Sequence, residues 1–299
     1  MTSNTDTADS CTSTLRTIAR IVLPSGVRRS ILQAVSQADE WKVAWQLARL
    51  RRRMYAIPRG TKATERLLHY TVRFPHGPDC YVLYKDIFIN RVYHFEAQRP
   101  NPLILDLGSH IGLSILYFKH IYPQARIIGF EPDPTAFPYL KENIVENDLT
   151  DVRLVQAAVA GQEGALTFYS DGNVASSLAE PPPDDPHHRW TKYELPCTRL
   201  RDFLTEPVDF LKMNIEGAEW EALADSEDCL HQVRELVVEY HHGPHLPRTL
   251  HKILAMLHRH HFEYVVSDFG LSAYGKVRPP INLHPKTSYC RHIYACRME

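Results

Sequence analysis

Beyond about residue 100, short apolar runs alternate with stretches of helical periodicity. Residues 102–106 (PLILD) form an apolar run ending in an acid, 111–121 read as a helix, and 126–131 (RIIGFE) form a second run ending in an acid. A helix over 135–147 and a third strand over 152–156 follow. Later strands are expected at 208–213, 235–240 and 264–267, with helices between, and 290–296 (CRHIYAC) reads as a last strand. Runs this apolar, spaced by helices, predict an open and mostly parallel α/β sheet covered on both faces.

The rest of the chain breaks that rhythm. Residues 1–14 are rich in Ser, Thr and Asp and predict a disordered tail. Residues 15–56 read as helical, with Ile31, Val35, Ala38, Trp45 and Ala48 near helical spacing. Arg49, Arg51, Arg52 and Arg53 gather at the C-terminal end, where cations suit the helix dipole. A solvated helix end is the plain reading of that cluster; contact with a phosphate or an acidic partner is the alternative. The basic, partly apolar segment 16–29 reads as a surface helix ahead of a targeting or membrane-surface role. Segments 66–74 and 80–90 read as two strands about the turn 75–79, a small hairpin. Residues 171–196, with Pro181–Pro183, His187 and His188, are too polar for core and read as an excursion loop, a lid or plain surface. The expected division is a tail (1–14), a helical and hairpin region (15–95) and a sheet domain (96–299).

Composition narrows the function classes. Of 299 residues, 34 are Lys or Arg and 35 are Asp or Glu, a net charge of −1, which gives no basis for sequence-independent nucleic-acid binding. No apolar stretch is long enough for an integral membrane segment. The six cysteines are scattered without a CxxC pair, which suits reduced thiols in a cytoplasmic protein and no structural zinc. The polar N-terminus does not read as a secretory signal.

The chemistry concentrates where the first two strands of the sheet end. The first runs into Asp106, Gly108 and Gly112; Gly108 permits a sharp turn and Gly112 a close helix. The second ends at Glu131, where a carboxylate can accept both hydroxyls of a ribose. A dinucleotide site wants G-x-G-x-x-G so that bare backbone meets a pyrophosphate. Here His110 stands at the middle glycine, which suits a nucleoside ligand with no pyrophosphate at the turn, such as S-adenosylmethionine. A nicotinamide oxidoreductase is disfavoured on the same ground.

The runs LILDLGSHIGLSILYF, GFEPDP, AAVAGQEGALTFY, SSL and FLKMNIEGAEWEAL, in that order, resemble the FkbM family of S-adenosylmethionine-dependent methyltransferases over about residues 84–296. The resemblance implies a class I methyltransferase, Rossmann-like seven-stranded sheet whose last strand is antiparallel, here with an N-terminal helical extension and a small hairpin. It implies methyl transfer to a hydroxyl of a secondary metabolite or sugar. N-methylation of an amide or peptide side chain is the alternative within the family, and a non-catalytic interaction protein keeping the fold is the alternative outside it. By position, Asp106, Gly108, Ser109, His110 and Gly112 would frame the methionine end of the cofactor. Glu131 and Pro132 would hold the ribose, and Gln156, Ala157 and Ala158 would flank the adenine. Ser177 belongs to a block near cofactor or acceptor.

One departure stands out. The family block K-x-D-x-E-G-x-E reads Lys212, Asn214, Glu216, Gly217, Glu219 here, with an amide in place of the aspartate. An amide cannot act as a base and is a weak ligand for a divalent cation, so no metal is expected. Lys212, Glu216 and His241 are the candidate catalytic groups, because an attacking alcohol must lose a proton. Asn214, Glu239 and His242 join Ser177 as candidate acceptor contacts. The expected partner is a small molecule or saccharide. A homo-oligomer is allowed but not specified: Trp41 and Trp45 suit either a cap on the acceptor pocket or a second-subunit contact.

Overall fold

The computed structural model describes residues 41–58, 60–171, 176–177, 190–243, 246–268 and 298 back to 289. Two compact units divide at residue 57. The first contributes one described helix, α1 (residues 41–55), in which Leu50 and Met54 are buried. The expected tail and the helical residues before 41 lie outside the described residues.

The second unit opens with a hairpin of β1 (Ala63–Leu67) and β2 (Tyr70–Phe74). The expected hairpin partner at 80–90 is instead helical: α2 (Gly77–Tyr84) runs into one π-helical turn, Lys85–Ile89. Pro78 at the helix start has no N–H to lose, and Gly77, Cys80, Tyr84 and Ile87 are buried at helical spacing. That periodicity overrides the strand preference of the Tyr, Val, Ile and Phe around it.

The main sheet has seven strands: β3 (Leu103–Leu107), β4 (Arg126–Phe130), β5 (Val152–Val155), β10 (Val208–Met213), β11 (Val233–His242), β12 (Phe262–Asp268) and β13 (Tyr289–Arg297). Their order is β12-β13-β11-β10-β3-β4-β5. All neighbours are parallel except β13, which is antiparallel to both β11 and β12. Strands β3 and β10 are wholly buried, as a run of apolar residues in a doubly covered sheet should be. Helices α3 (Leu113–Ile121), α4 (Phe137–Glu146), α5 (Glu219–Asp225) and α6 (Leu250–Arg259) connect the strands. After β5 the chain crosses from one side of β3 to the other, so the order reverses at β3 and β10, where such sheets bind ligands.

A second sheet was not expected. Strands β6 (Ala158–Ala160), β7 (Gly164–Ser170), β8 (Ser176–Ser177) and β9 (Thr191–Arg199) pair in the order β6-β9-β7-β8. Residues 191–196, read above as loop, belong to β9. Proline at 196 and alternating charges hid a ladder whose pairing partners lie in β7. Residues 172–175 and 178–189 of the expected loop lie outside the described residues.

Two asparagines one turn apart, Asn143 on α4 and Asn147 at its C-cap, pin the hairpin to this unit. Asn147 Oδ1 accepts from Thr71 N at 2.8 Å and its Nδ2 donates to Thr71 O at 2.9 Å. Asn143 repeats the exchange with Arg73 N (2.7 Å) and O (2.9 Å), and also donates to Ile111 O at 2.8 Å. The free edge of β2 is thus satisfied by side-chain amides in place of a strand. Asn143→Ala is expected to cost about 1–3 kcal/mol, the penalty for stranded buried polar groups. A urea midpoint unchanged from the parent would refute that role.

Candidate active site

A cleft with about 940 Å³ of empty space, open mouth included, lies at the carboxyl ends of β3, β4 and β10. Its floor is the turn after β3. Gly108 has φ +82°, and a Cβ there would sit 1.8 Å from the backbone oxygen of Asn214, so only glycine fits. The amides of Gly108 and Ser109 both donate to Phe130 O, at 2.9 and 2.8 Å, which ties the turn to β4. Gly112 (φ +90°) packs beneath α4, where a Cβ would meet Leu140 at 2.8 Å. Two non-glycine residues on the cleft wall, His110 (φ +48°) and Glu216 (φ +56°), hold left-handed backbone, the kind of local strain that concentrates at functional sites.

Glu131 is the charged group at the centre of one wall. It is 6% exposed; Oε2 accepts from His110 N at 2.6 Å and Oε1 from Asp133 N at 2.8 Å. Each oxygen keeps a further lone pair for a ligand. Burial pushes its pKa up to about 7, against the lowering effect of those amides. Asp133 is itself consumed by Thr135 and by Ser170 Oγ. Ala157, Ala158, Val159 and Phe168 make the apolar wall beside Glu131 and Pro132.

Beneath the turn lies a buried ion pair. Lys212 Nζ is 3.1 Å from Asp106 Oδ1 and donates to Leu107 O (3.2 Å) and Gly108 O (2.5 Å). Ser114 Oγ donates to Asp106 Oδ2 at 2.6 Å. Lys212 also lies 5.4 Å from the ring of Tyr93, whose hydroxyl donates to Glu239 Oε2 at 3.1 Å. Glu239 Oε1 meets His292 Nε2 at 3.2 Å. Asn214 lines the cleft, and its buried Oδ1 has no hydrogen-bond partner among the described residues.

On the remaining wall, Glu216 faces His241 Nε2 at 3.7 Å, while His241 Nδ1 is 3.0 Å from Glu219 Oε1. Glu219 also accepts from Gly217 N at 3.0 Å. Burial pulls the His241 pKa down, but Glu216, then Cys290 and Glu219, outweigh it and hold the imidazole well above its usual range. Burial lifts Glu216 to about 7, moderated by His241.

The structure therefore brings Gly108, Ser109, His110, Glu131, Pro132, Ala157, Ala158, Lys212, Asn214 and Glu216 to one cleft. Asp106 and Gly112 support it from behind, and His241 stands behind Glu216. Glu239 and His242 are buried away from the lining, and Gln156 is exposed. The side chain of Ser177 lies outside the described residues. Sequence reasoning passed over Leu83, Ile87 and Tyr93, which reach the cleft from the hairpin-to-sheet segment. The helical spacing of 80, 83, 84 and 87 is the signal that could have found the first two. Among the described residues no group of three His, Cys, Asp or Glu could hold a metal ion.

A seven-stranded sheet with β13 inserted antiparallel before β12, and a cleft at its switch point, is the class I methyltransferase fold. The chain belongs to the FkbM methyltransferase family: the methyltransferase FkbM domain matches residues 106–264. It is similar to the methyltransferase sdnD of Sordaria araneosa, 31% identical over 189 residues, covering 52% of this chain and 73% of that protein. The 2-O-methyltransferase NoeI of Sinorhizobium fredii is 28% identical over 159 residues, covering 48% of this chain and 65% of that protein, just under two thirds of its length. The 31-O-demethyl-FK506 methyltransferase FkbM of Streptomyces tacrolimicus is 26% identical over 249 residues, covering 68% and 92%.

Proposed function

We propose that this methyltransferase uses S-adenosylmethionine and methylates a hydroxyl oxygen of a small-molecule metabolite or sugar. One observation carries the cofactor: a buried carboxylate, Glu131, whose orientation two backbone amides set, beside a glycine turn with a side chain where a pyrophosphate site needs bare backbone. Two of the similar proteins are named as O-methyltransferases or for an O-demethyl substrate, which supports oxygen as the acceptor.

The residues fit that cofactor. Glu131 would take the ribose hydroxyls, and the Ala157, Ala158 and Phe168 wall would cover the base. The unpartnered Oδ1 of Asn214 is an acceptor suited to an ammonium donor. Bound there, the cofactor supplies a methyl group already activated by its sulfonium. The chain's part is then to hold the acceptor, exclude water and remove its proton. Glu216 is the group for the last task, since it lines the cleft and its pKa of about 7 matches a general base at neutral pH. Lys212, with its donors directed at Asp106, Leu107 and Gly108, serves to position the turn. His241, held as an imidazolium by its flanking carboxylates, orients Glu216.

Calorimetry with S-adenosylhomocysteine tests the cofactor; folded protein that binds none at millimolar ligand refutes it. Incubation of the protein and methyl-labelled cofactor with small-molecule extracts tests transfer. The labelled product should form faster as pH rises through about 7, because Glu216 must be ionised. Glu216→Gln should lower the rate by about 10²–10⁴-fold. Label on nitrogen, or a pH profile unchanged in Glu216→Gln, would overturn the corresponding assignment.

A further inference from the structure

Helix α1 has two apolar faces. Leu47, Leu50 and Met54, three and four residues apart, make one, and Leu50 and Met54 are buried. On the other side of the wheel, at 100° per residue, stand Trp41, Trp45 and Tyr55, with Ala48 between them and Ala44 beside Tyr55. Trp41 is 77% exposed, Trp45 63% and Tyr55 49%. Scattered apolar residues on a surface need no explanation, but two indoles one turn apart on a single face form a patch.

The charge of the same helix is one-sided. Residues 41–55 hold Lys42, Arg49, Arg51, Arg52 and Arg53 and no acid, although the chain as a whole carries a net charge of −1. Arg52 falls within the aromatic face, with Lys42, Arg49 and Arg53 along one border and Arg51 along the other. The Arg49 guanidinium lies 5.6 Å from the Trp45 ring and that of Arg51 4.9 Å from Tyr55. Rings and cations are thus presented together.

We propose that the Trp41–Trp45–Tyr55 face of α1 docks the protein on an anionic lipid surface. The cations fit any polyanion; the indoles choose lipid, because tryptophan settles at the boundary between headgroups and acyl chains. A helix with a basic border and an aromatic face lies in that boundary rather than across it, and among the described residues no helix is long and apolar enough to cross a membrane.

The test uses the full chain with vesicles of phosphatidylcholine, alone or mixed with phosphatidylglycerol. Cosedimentation should be at least about tenfold stronger with the anionic vesicles and should weaken with added salt. Tryptophan emission should shift to the blue on binding. Trp41→Ala with Trp45→Ala should abolish both signals, and Arg49→Gln with Arg52→Gln should remove the preference for anionic vesicles. Circular dichroism matching the parent shows that these exposed substitutions leave the fold intact. No sedimentation with either vesicle overturns the proposal. So does a concentration-dependent dimer that the tryptophan pair abolishes, which would make the face a self-contact. Equal binding of single-stranded RNA by parent and tryptophan variant, without lipid binding, would make it a nucleic-acid surface instead.

Discussion

Lys212→Met is expected to destabilise the protein by about 3–5 kcal/mol, the cost of removing one partner from a buried ion pair. Methionine keeps the length and apolar character of the stem, so packing is nearly conserved. The charge is not. Asp106 is 0% exposed, and its Oδ1 lies 3.1 Å from the ammonium with no hydrogen-bond partner among the described residues, while the carbonyls of Leu107 and Gly108 lose a donor. Ser114 still serves the other carboxylate oxygen. Urea unfolding followed by fluorescence and circular dichroism measures the loss. Adding Asp106→Asn should restore part of it, because a neutral amide then replaces the unpaired carboxylate. A loss below about 1 kcal/mol, the worth of an exposed pair, would show that the charge is not buried in solution. The same substitution frees the Gly108 turn, so S-adenosylhomocysteine should bind more weakly as well.

Glu131→Gln should weaken S-adenosylhomocysteine by about 100-fold, since hydrogen bonds to a charged group are worth about 1.5–3 kcal/mol each. An affinity within a factor of three of the parent's, on the order of 0.6 kcal/mol, would detach Glu131 from the ligand. The titration makes a second, independent mark. With its folded pKa near 7 against an ordinary 4.5, Glu131 binds a proton more tightly in the native state than in the unfolded chain. Its contribution to ligand-free stability is therefore full at pH 4.5 and below and is lost as pH climbs towards 7. Glu131→Gln should flatten that decline in melting temperature, leaving the part due to Glu216, which shifts the same way. Binding runs in the opposite direction: affinity for the ligand should rise as pH passes 7 and the carboxylate ionises.

Local patterns made much of this molecule legible. Each strand of the seven-stranded sheet was legible as a local run: β3 and β10 as unbroken apolar segments, because both of their faces are covered, and β12 as a β-branched and aromatic one, although Tyr264, Val265 and Val266 are exposed. Asp106, Gly108 and Glu131 were visible because strand ends and glycine turns are local signals. What stayed hidden was relational. Lys212 comes next to Asp106 only through the β3–β10 register, which pairs those two positions directly. The neighbouring histidines His241 and His242 looked equivalent, yet the pleat of β11 sends one to Glu216 and Glu219 and the other to a separate buried site. Strand β9 escaped notice because its stability lies in the ladder with β7, and segment 80–90 was misread because aromatic and β-branched residues favour strands until a helical burial period overrules them.

The place of β13 has a consequence for biosynthesis. Among the described strands β12 hydrogen-bonds only to β13, which is translated after it. Until β13 has docked, β12 and the outer side of β11 therefore carry bare ladders, open to wrong partners. A released chain truncated before residue 289 should be cut by protease within β12 while β3 and β4 are protected; equal protection of all three would show that the ladder closes by another route.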